Sequence, residues 1–133
     1  MERAQLEKIA TGLVDAAYNV HRQLGAGLLE SAYHASLFYE LRKRGYRVRS
    51  EVPVQLFYDG VPLDVTYRID LLLEDVIVIE NKVVMAIHPV HLSQVLTYLR
   101  QANLNLGFLI NWNAPRLKDG IRRVVNRLEE PTS

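Results

Sequence analysis

The stretch Tyr67-Arg68-Ile69-Asp70-Leu71-Leu72-Leu73-Glu74-Asp75-Val76-Ile77-Val78-Ile79-Glu80-Asn81-Lys82 decides how this chain is read. Its run Val76-Ile77-Val78-Ile79 is apolar at every position, the pattern of a strand covered on both faces, which places it centrally in a sheet. Glu80 and Lys82 interrupt that strand; two residues apart, they project from one face. Asp70 sits in a second apolar run, Leu63 to Leu73, expected to lie antiparallel to the first. Charges rarely occupy such positions unless they are paired or bind a metal. Loop length then decides whether the charges meet. A two-residue turn at Glu74-Asp75 pairs Asp70 with Ile79 and sends Asp70 and Glu80 to opposite faces. A three-residue loop, or one bulge, pairs Asp70 with Glu80 and puts both on the face of Lys82, so an odd-length loop or a bulge is expected.

Two carboxylates brought together repel, and burial raises that cost. A hard divalent cation with oxygen ligands and retained waters, Mg2+ or Mn2+, resolves it. Such an ion lowers the pKa of a bound water and stabilises charge on a phosphodiester. Lys82 would orient that water or offset the developing charge. A structural Asp–Lys or Glu–Lys ion pair is the simpler reading of the same residues, and both stay open at this point.

Upstream, Leu6, Ile9, Leu13, Ala16, Ala17, Val20 and Leu24 recur at steps of three and four, an amphipathic helix that Gly25-Ala26-Gly27 ends. A second helix is expected from about Leu29 to Arg44, with Ala32, Tyr33, Leu37 and Leu41 inward. Val48 to Tyr58, with Pro53 inside, reads as an edge-like strand or two short pieces, and Asp59-Gly60 as a turn. Downstream, Pro89 opens a third helix to about Gln101, and Leu104 to Ile110 is a strand. Pro115 opens a final helix to about Leu128, and Pro131-Thr132-Ser133 is a frayed tail. The expected class is α/β: one mixed central sheet flanked by helices.

The 133 residues favour one compact domain over 1–133. Sixteen Lys and Arg against fifteen Asp and Glu give a formal charge of +1, which excludes a protein that coats nucleic acid by bulk charge alone. Zero cysteines exclude thiol nucleophiles, zinc ribbons and cysteine-ligated clusters. No apolar run approaches the ~20 residues of a membrane span, and the polar start Met1 to Gln5 lacks a secretory pattern. A cytoplasmic location without a membrane partner is the expectation. Neither a phosphate-binding P-loop motif nor a nucleophile elbow occurs.

Gly27-Leu28-Leu29-Glu30-Ser31-Ala32-Tyr33 matches a G-x-x-E-x-x-Y signature, and through it the chain resembles the GxxExxY protein family of the PD-(D/E)XK nuclease-like superfamily. Tyr67-Arg68-Ile69-Asp70 resembles that family's aromatic-Arg-x-Asp strand, Glu80-Asn81-Lys82 its E-x-K strand, and Gln94 to Tyr98 its Q-x-x-x-Y helix. Asn111-Trp112-Asn113 and Leu117 to Arg123 resemble its C-terminal part. The likeness runs from about Thr11 to Asn126. Asn81 stands where family members usually carry an apolar residue, and a polar side chain on the face opposite the site needs a partner. The resemblance implies a restriction-endonuclease-like αβββαβ core and a metal-dependent, nuclease-like phosphodiesterase that hydrolyses DNA or RNA. Residue by residue, it implies Asp70 and Glu80 as metal ligands, completed by Glu30, and Lys82 as the catalytic lysine. Gln94 would act in catalysis by positioning a phosphate or water, with Tyr33 and Tyr98 in supporting positions. The plainer alternatives are a helix-dipole role for Glu30, a core aromatic for Tyr33 and a hydrogen-bonded pair for Gln94 and Tyr98.

Two basic clusters bear on substrate: Arg42, Lys43, Arg44, Arg47 and Arg49, and then Arg116, Lys118, Arg122, Arg123 and Arg127. On the expected final helix, Arg116, Arg123 and Arg127 share a face. Arg42, Lys43, Arg116, Arg123 and Arg127 are the candidate nucleic-acid contacts, with solvated surface as the alternative. His88 reads as a capping or surface residue rather than as a metal ligand with His91, and His21 and His34 as surface or core residues. Trp112 either stacks a base or packs a helix against the sheet. The rival function keeps the fold without turnover, as a non-catalytic nucleic-acid-binding or protein-interaction module. Pairing of two copies into a homodimer, through a sheet edge or an apolar helix face, is left open.

Overall fold

The computed structural model describes residues 1–128, so the tail at Pro131-Thr132-Ser133 lies outside the described residues. Two helices come first, α1 (Arg3–Leu24) and α2 (Glu30–Lys43). Three strands follow, β1 (Val48–Tyr58), β2 (Val61–Leu73) and β3 (Ile77–Lys82), and then α3 (Pro89–Ala102), β4 (Leu106–Asn111) and β5 (Ile121–Val125). The sheet order is β1-β2-β3-β4-β5. Its pairs are antiparallel except β3 with β4, which run parallel because α3 carries the chain back between them. The fold is α/β with a mixed sheet, as expected. The expected αβββαβ order is α2-β1-β2-β3-α3-β4, with α1 added before it and β5 after it.

Both faces of the sheet are covered. On one, Leu13, Ala17, Leu37 and Leu41 of the first two helices meet Leu71, Leu73, Ile77 and Ile79. On the other, Val95 and Leu99 of α3 meet Ile69, Val78 and Leu109. The middle strand β3 therefore feeds both cores, which is why its apolar run has no polar alternation. Gly107 lets α3 lie close: a Cβ there would stand 2.7 Å from Val95 Cγ1 and 3.3 Å from the Val78 carbonyl oxygen.

The final helix expected from Pro115 does not form. A short 3-10 turn at Leu117–Asp119 leads into β5, which pairs antiparallel with β4. Without β5, the outer edge of β4 would leave a row of backbone groups unpaired, and that demand outweighs helical spacing. Gly120 was the available signal. Its position against the Asn111 carbonyl, whose oxygen a Cβ would approach to 2.3 Å, admits no side chain. Among the described residues no helix is long and apolar enough to cross a membrane.

Candidate active site

The loop between β2 and β3 is Glu74-Asp75-Val76, three residues that follow the last pair, Leu73 with Ile77. Glu74 (φ 51°) and Asp75 (φ 56°) take left-handed backbone, and Asp75 Oδ1 accepts a bond from Arg49 Nε at 3.0 Å. The odd-length loop is present. Its register, Leu71 with Ile79, sets Asp70 opposite Glu80. Beyond that pair the two strands are tied by side chains instead of carbonyls. The Asp70 amide donates to Glu80 Oε1 (3.2 Å), and the Asn81 amide donates to Asp70 Oδ2 (2.8 Å). Each carboxylate is thus fastened to the opposing strand.

Electrostatics follow from this placement. Glu80 is 3% exposed. Burial, followed by the Asp70 charge, pushes its pKa from 4.5 up to about 8. Burial also raises Asp70, against the opposing effect of the Asn81 amide. Lys82 Nζ lies 3.9 Å from Glu80 Oε2, the outer limit of an ion pair, and offsets only part of this cost. Glu30 opens α2, and partial desolvation and then the Asp70 charge raise it as well.

A hydrogen-bond chain on the other face of β3 supplies the partner that Asn81 needs. Trp112 Nε1 donates to Asn81 Oδ1 at 2.9 Å, which leaves Asn81 Nδ2 facing His34 Nδ1 at 3.3 Å. An indole can only donate, so this orders the amide and makes His34 Nδ1 an acceptor. His34 Nε2 then carries the proton and donates to Ser50 Oγ at 2.7 Å. Trp112 itself is fully buried, stacked 5.0 Å from Tyr33 and 6.4 Å from His21. Of its two readings, it packs the helices against the sheet. Tyr33 Oη donates to the Gly25 carbonyl (2.6 Å) and accepts from the Leu28 amide (3.1 Å), so this core ring shapes the loop that delivers Glu30.

On the α3 side, Gln94 Nε2 donates to Tyr98 Oη at 3.0 Å. Burial and then the Glu80 charge raise the Tyr98 hydroxyl, which places this pair within the field of the carboxylates. His88 is the residue that caps α3, its amide bonded to His91 Nδ1 at 3.0 Å.

Three residues near the site were given no part in it by sequence reasoning, which read His34 as surface or core and quoted Tyr67 only as part of a strand motif. His34 lies one turn after Glu30, and that i, i+4 spacing was a usable signal. Glu51 faces Asp70, between the pairs Ser50 with Leu71 and Val52 with Ile69, and its charge adds to the raising of Asp70. Its left-handed backbone (φ 55°) marks where β1 changes sides, since Val48 packs in one core and Val54 in the other. No sequence signal reveals a role created by that register. The third is Tyr67, whose ring lies 6.1 Å from Tyr98.

The second basic cluster is not a helix face. Arg123 projects from β5 and is bound by Glu7 of α1 through both terminal guanidinium nitrogens, Nη1 at 3.1 Å from Glu7 Oε2. Arg116 precedes the 3-10 turn, 3.9 Å from Asp119, and Arg127 follows β5. Arg42 covers the Phe38 ring and Lys43 ends α2, far from Glu30.

Among the described residues no three His, Asp or Glu side chains are drawn together as a ready cage. Asp70 and Glu80 instead offer two carboxyl groups whose ionisation no nearby cation fully offsets, a donor set that fits a hard cation keeping part of its water shell. A family model described as the PD-(D/E)XK nuclease superfamily matches residues 7–124. No curated protein and no solved structure matches the chain.

Proposed function

The chain belongs to the PD-(D/E)XK nuclease superfamily, and from that premise we propose that it is a metal-dependent nuclease-like phosphodiesterase acting on DNA or RNA. The observation that carries this reading is the facing pair of half-buried Asp70 and buried Glu80, cross-tied and short of positive charge, with Lys82 beside Glu80. Asp70 and Glu80 would hold Mg2+ or Mn2+, with Glu30 reaching in from α2. When bound, the ion supplies a water of lowered pKa and offsets charge on the phosphate.

The chain's own groups do the rest. The Lys82 ammonium donates to the attacking oxygen or to the charge developing on the phosphoryl oxygens. Gln94, fixed by Tyr98, retains an amide oxygen and one N–H to orient a phosphate or water. Attack in line with the leaving oxygen forms one P–O bond as the other breaks. Asn81, locked by Trp112 and His34, keeps Glu80 and Lys82 from rotating with the strand.

The test is incubation of labelled single- and double-stranded DNA and RNA with Mg2+, Mn2+ or EDTA, alongside Asp70→Asn and Lys82→Ala. We expect cleavage that EDTA abolishes and that each variant lowers by about a hundredfold or more. Absence of cleavage by the wild type, with binding unchanged in both variants, would replace this reading with the non-catalytic module.

A further inference from the structure

We propose that the groove between Tyr67 of β2 and the outer face of α3 is a subsite for one unstacked nucleobase, adjacent to the phosphate that the carboxylates would engage. The inference rests on the nuclease reading for what lies at Asp70 and Glu80.

The groove has a volume of about 400 Å3 and is lined by Tyr67, Val90, His91, Ser93, Gln94, Thr97 and Tyr98. That size suits a small planar ligand. Tyr67 is 44% exposed, whereas Ile69, two residues on along the same strand, is 1% exposed. The cover that α3 provides ends at this point, and an aromatic ring stands at the opening. The two tyrosine rings are tilted by 51°, a wedge rather than a closed stack. Such a ring leaves a π-face free for a base.

The polar groups match a base edge. Gln94 spends one N–H on Tyr98 Oη; of its second N–H and its carbonyl oxygen, one serves the phosphate or water of the nuclease reading and the other is left for the base edge. His91 accepts the His88 amide at Nδ1, which leaves Nε2–H as a donor. Among the described residues no Lys, Arg, Asp or Glu lines the groove. A phosphate would find no countercharge there, whereas an uncharged aromatic heterocycle needs none. Location supplies the last element. Tyr67 precedes Asp70 by three strand residues, about 10 Å along β2, and Tyr98 on the opposite wall feels the Glu80 and Asp70 charges. A base inside a duplex has both faces covered, so the occupant comes from a single strand or is flipped out.

The experiment uses the full chain in EDTA, with fluorescence anisotropy and quenching of a short single-stranded oligonucleotide carrying 2-aminopurine. DNA and RNA versions, the same strand in a duplex, and an abasic strand of equal length complete the set. We expect quenching with the single strands, and binding about tenfold weaker in Tyr67→Ala. Tyr67→Phe should retain both. The abasic strand should bind the wild type as weakly as the base-bearing strand binds Tyr67→Ala. Equal binding of base-bearing and abasic strands by the wild type, or no binding, overturns the subsite even if Tyr67→Ala fails to fold. Cleavage with Mg2+ that Asp70→Asn abolishes is read separately. Base-dependent binding without cleavage keeps the groove and removes the nuclease reading, and cleavage without base dependence does the reverse.

Discussion

With burial and the Asp70 charge both acting on it, Glu80 holds its proton far above the ordinary carboxylate range, to about pH 8. This has a consequence for stability. A group whose folded pKa lies above its unfolded value contributes stability that is full below the unfolded value, 4.5, and is lost as pH rises through about 8. The cation-free protein should therefore lose melting temperature between those limits, and Glu80→Gln should flatten the loss. Added Mg2+ should act in the opposite sense, stabilising more as pH rises, because the ion needs the ionised carboxylates. Thermal melts across the range, with EDTA or Mg2+, check all three. A wild-type profile that matches Glu80→Gln in EDTA would show that Glu80 titrates as an ordinary carboxylate.

At the scale of elements, the β2–β3 hairpin decides whether the site exists. Most sheets reject a one-residue slip because it exposes apolar side chains. Here β3 is apolar towards both cores, so burial of Ile77, Val78 and Ile79 discriminates weakly between registers. Loop length and the two carboxylate–amide bonds make the choice. Deleting Asp75 should leave the hairpin a three-residue loop, now Leu73-Glu74-Val76, shift the pairing by one and part Asp70 from Glu80. We expect the variant to stay folded by circular dichroism. Cross-strand NMR contacts should move from Leu71–Ile79 to Leu71–Val78, and cleavage should fall by about a hundredfold or more. Full activity with an unchanged register would show that the carboxylate ties alone hold the strands.

Across the whole molecule, ion pairs withdraw several of the cations that a polyanion could use. Arg123 is held by Glu7, Arg44 by Glu40, and Arg47 and Arg49 by the acids of the β2–β3 loop. Arg42 and Lys43 lie at the far end of α2, about 18 Å along its axis from Glu30, so a substrate must be long to reach both. Of the five candidate contacts Arg42, Lys43, Arg116, Arg123 and Arg127, Glu7 holds Arg123 and Asp119 lies 3.9 Å from Arg116, which leaves three or four for phosphates, and single-strand binding should show a log–log salt slope of about −2 to −3. Arg42→Glu with Lys43→Glu should lower that slope by about 1 for long strands. Anisotropy titrations at several salt concentrations measure it. A slope steeper than about −5 would require about seven phosphate contacts and overturn this set of contacts.

The sequence by itself determined the α/β class, the central β3, the first three helices and the carboxylates and lysine facing one another, because periodicity and buried charge are local facts. It also stated the condition for their meeting, an odd loop. It did not determine β5, since β-branched Val124 and Val125 read equally well as one side of a helix until the open edge of β4 is present. Nor did it determine the parts played by His34, Glu51 and Trp112. These depend on which side chains α2, β1 and β4 bring against β3, and pairing between distant segments satisfies hydrogen-bond donors and charges that no window of sequence contains. Tyr33 shows the boundary most clearly. Its motif was legible in the chain, but only the packed core reveals a ring that shapes the entry to Glu30 while stacking on the tryptophan that locks Asn81.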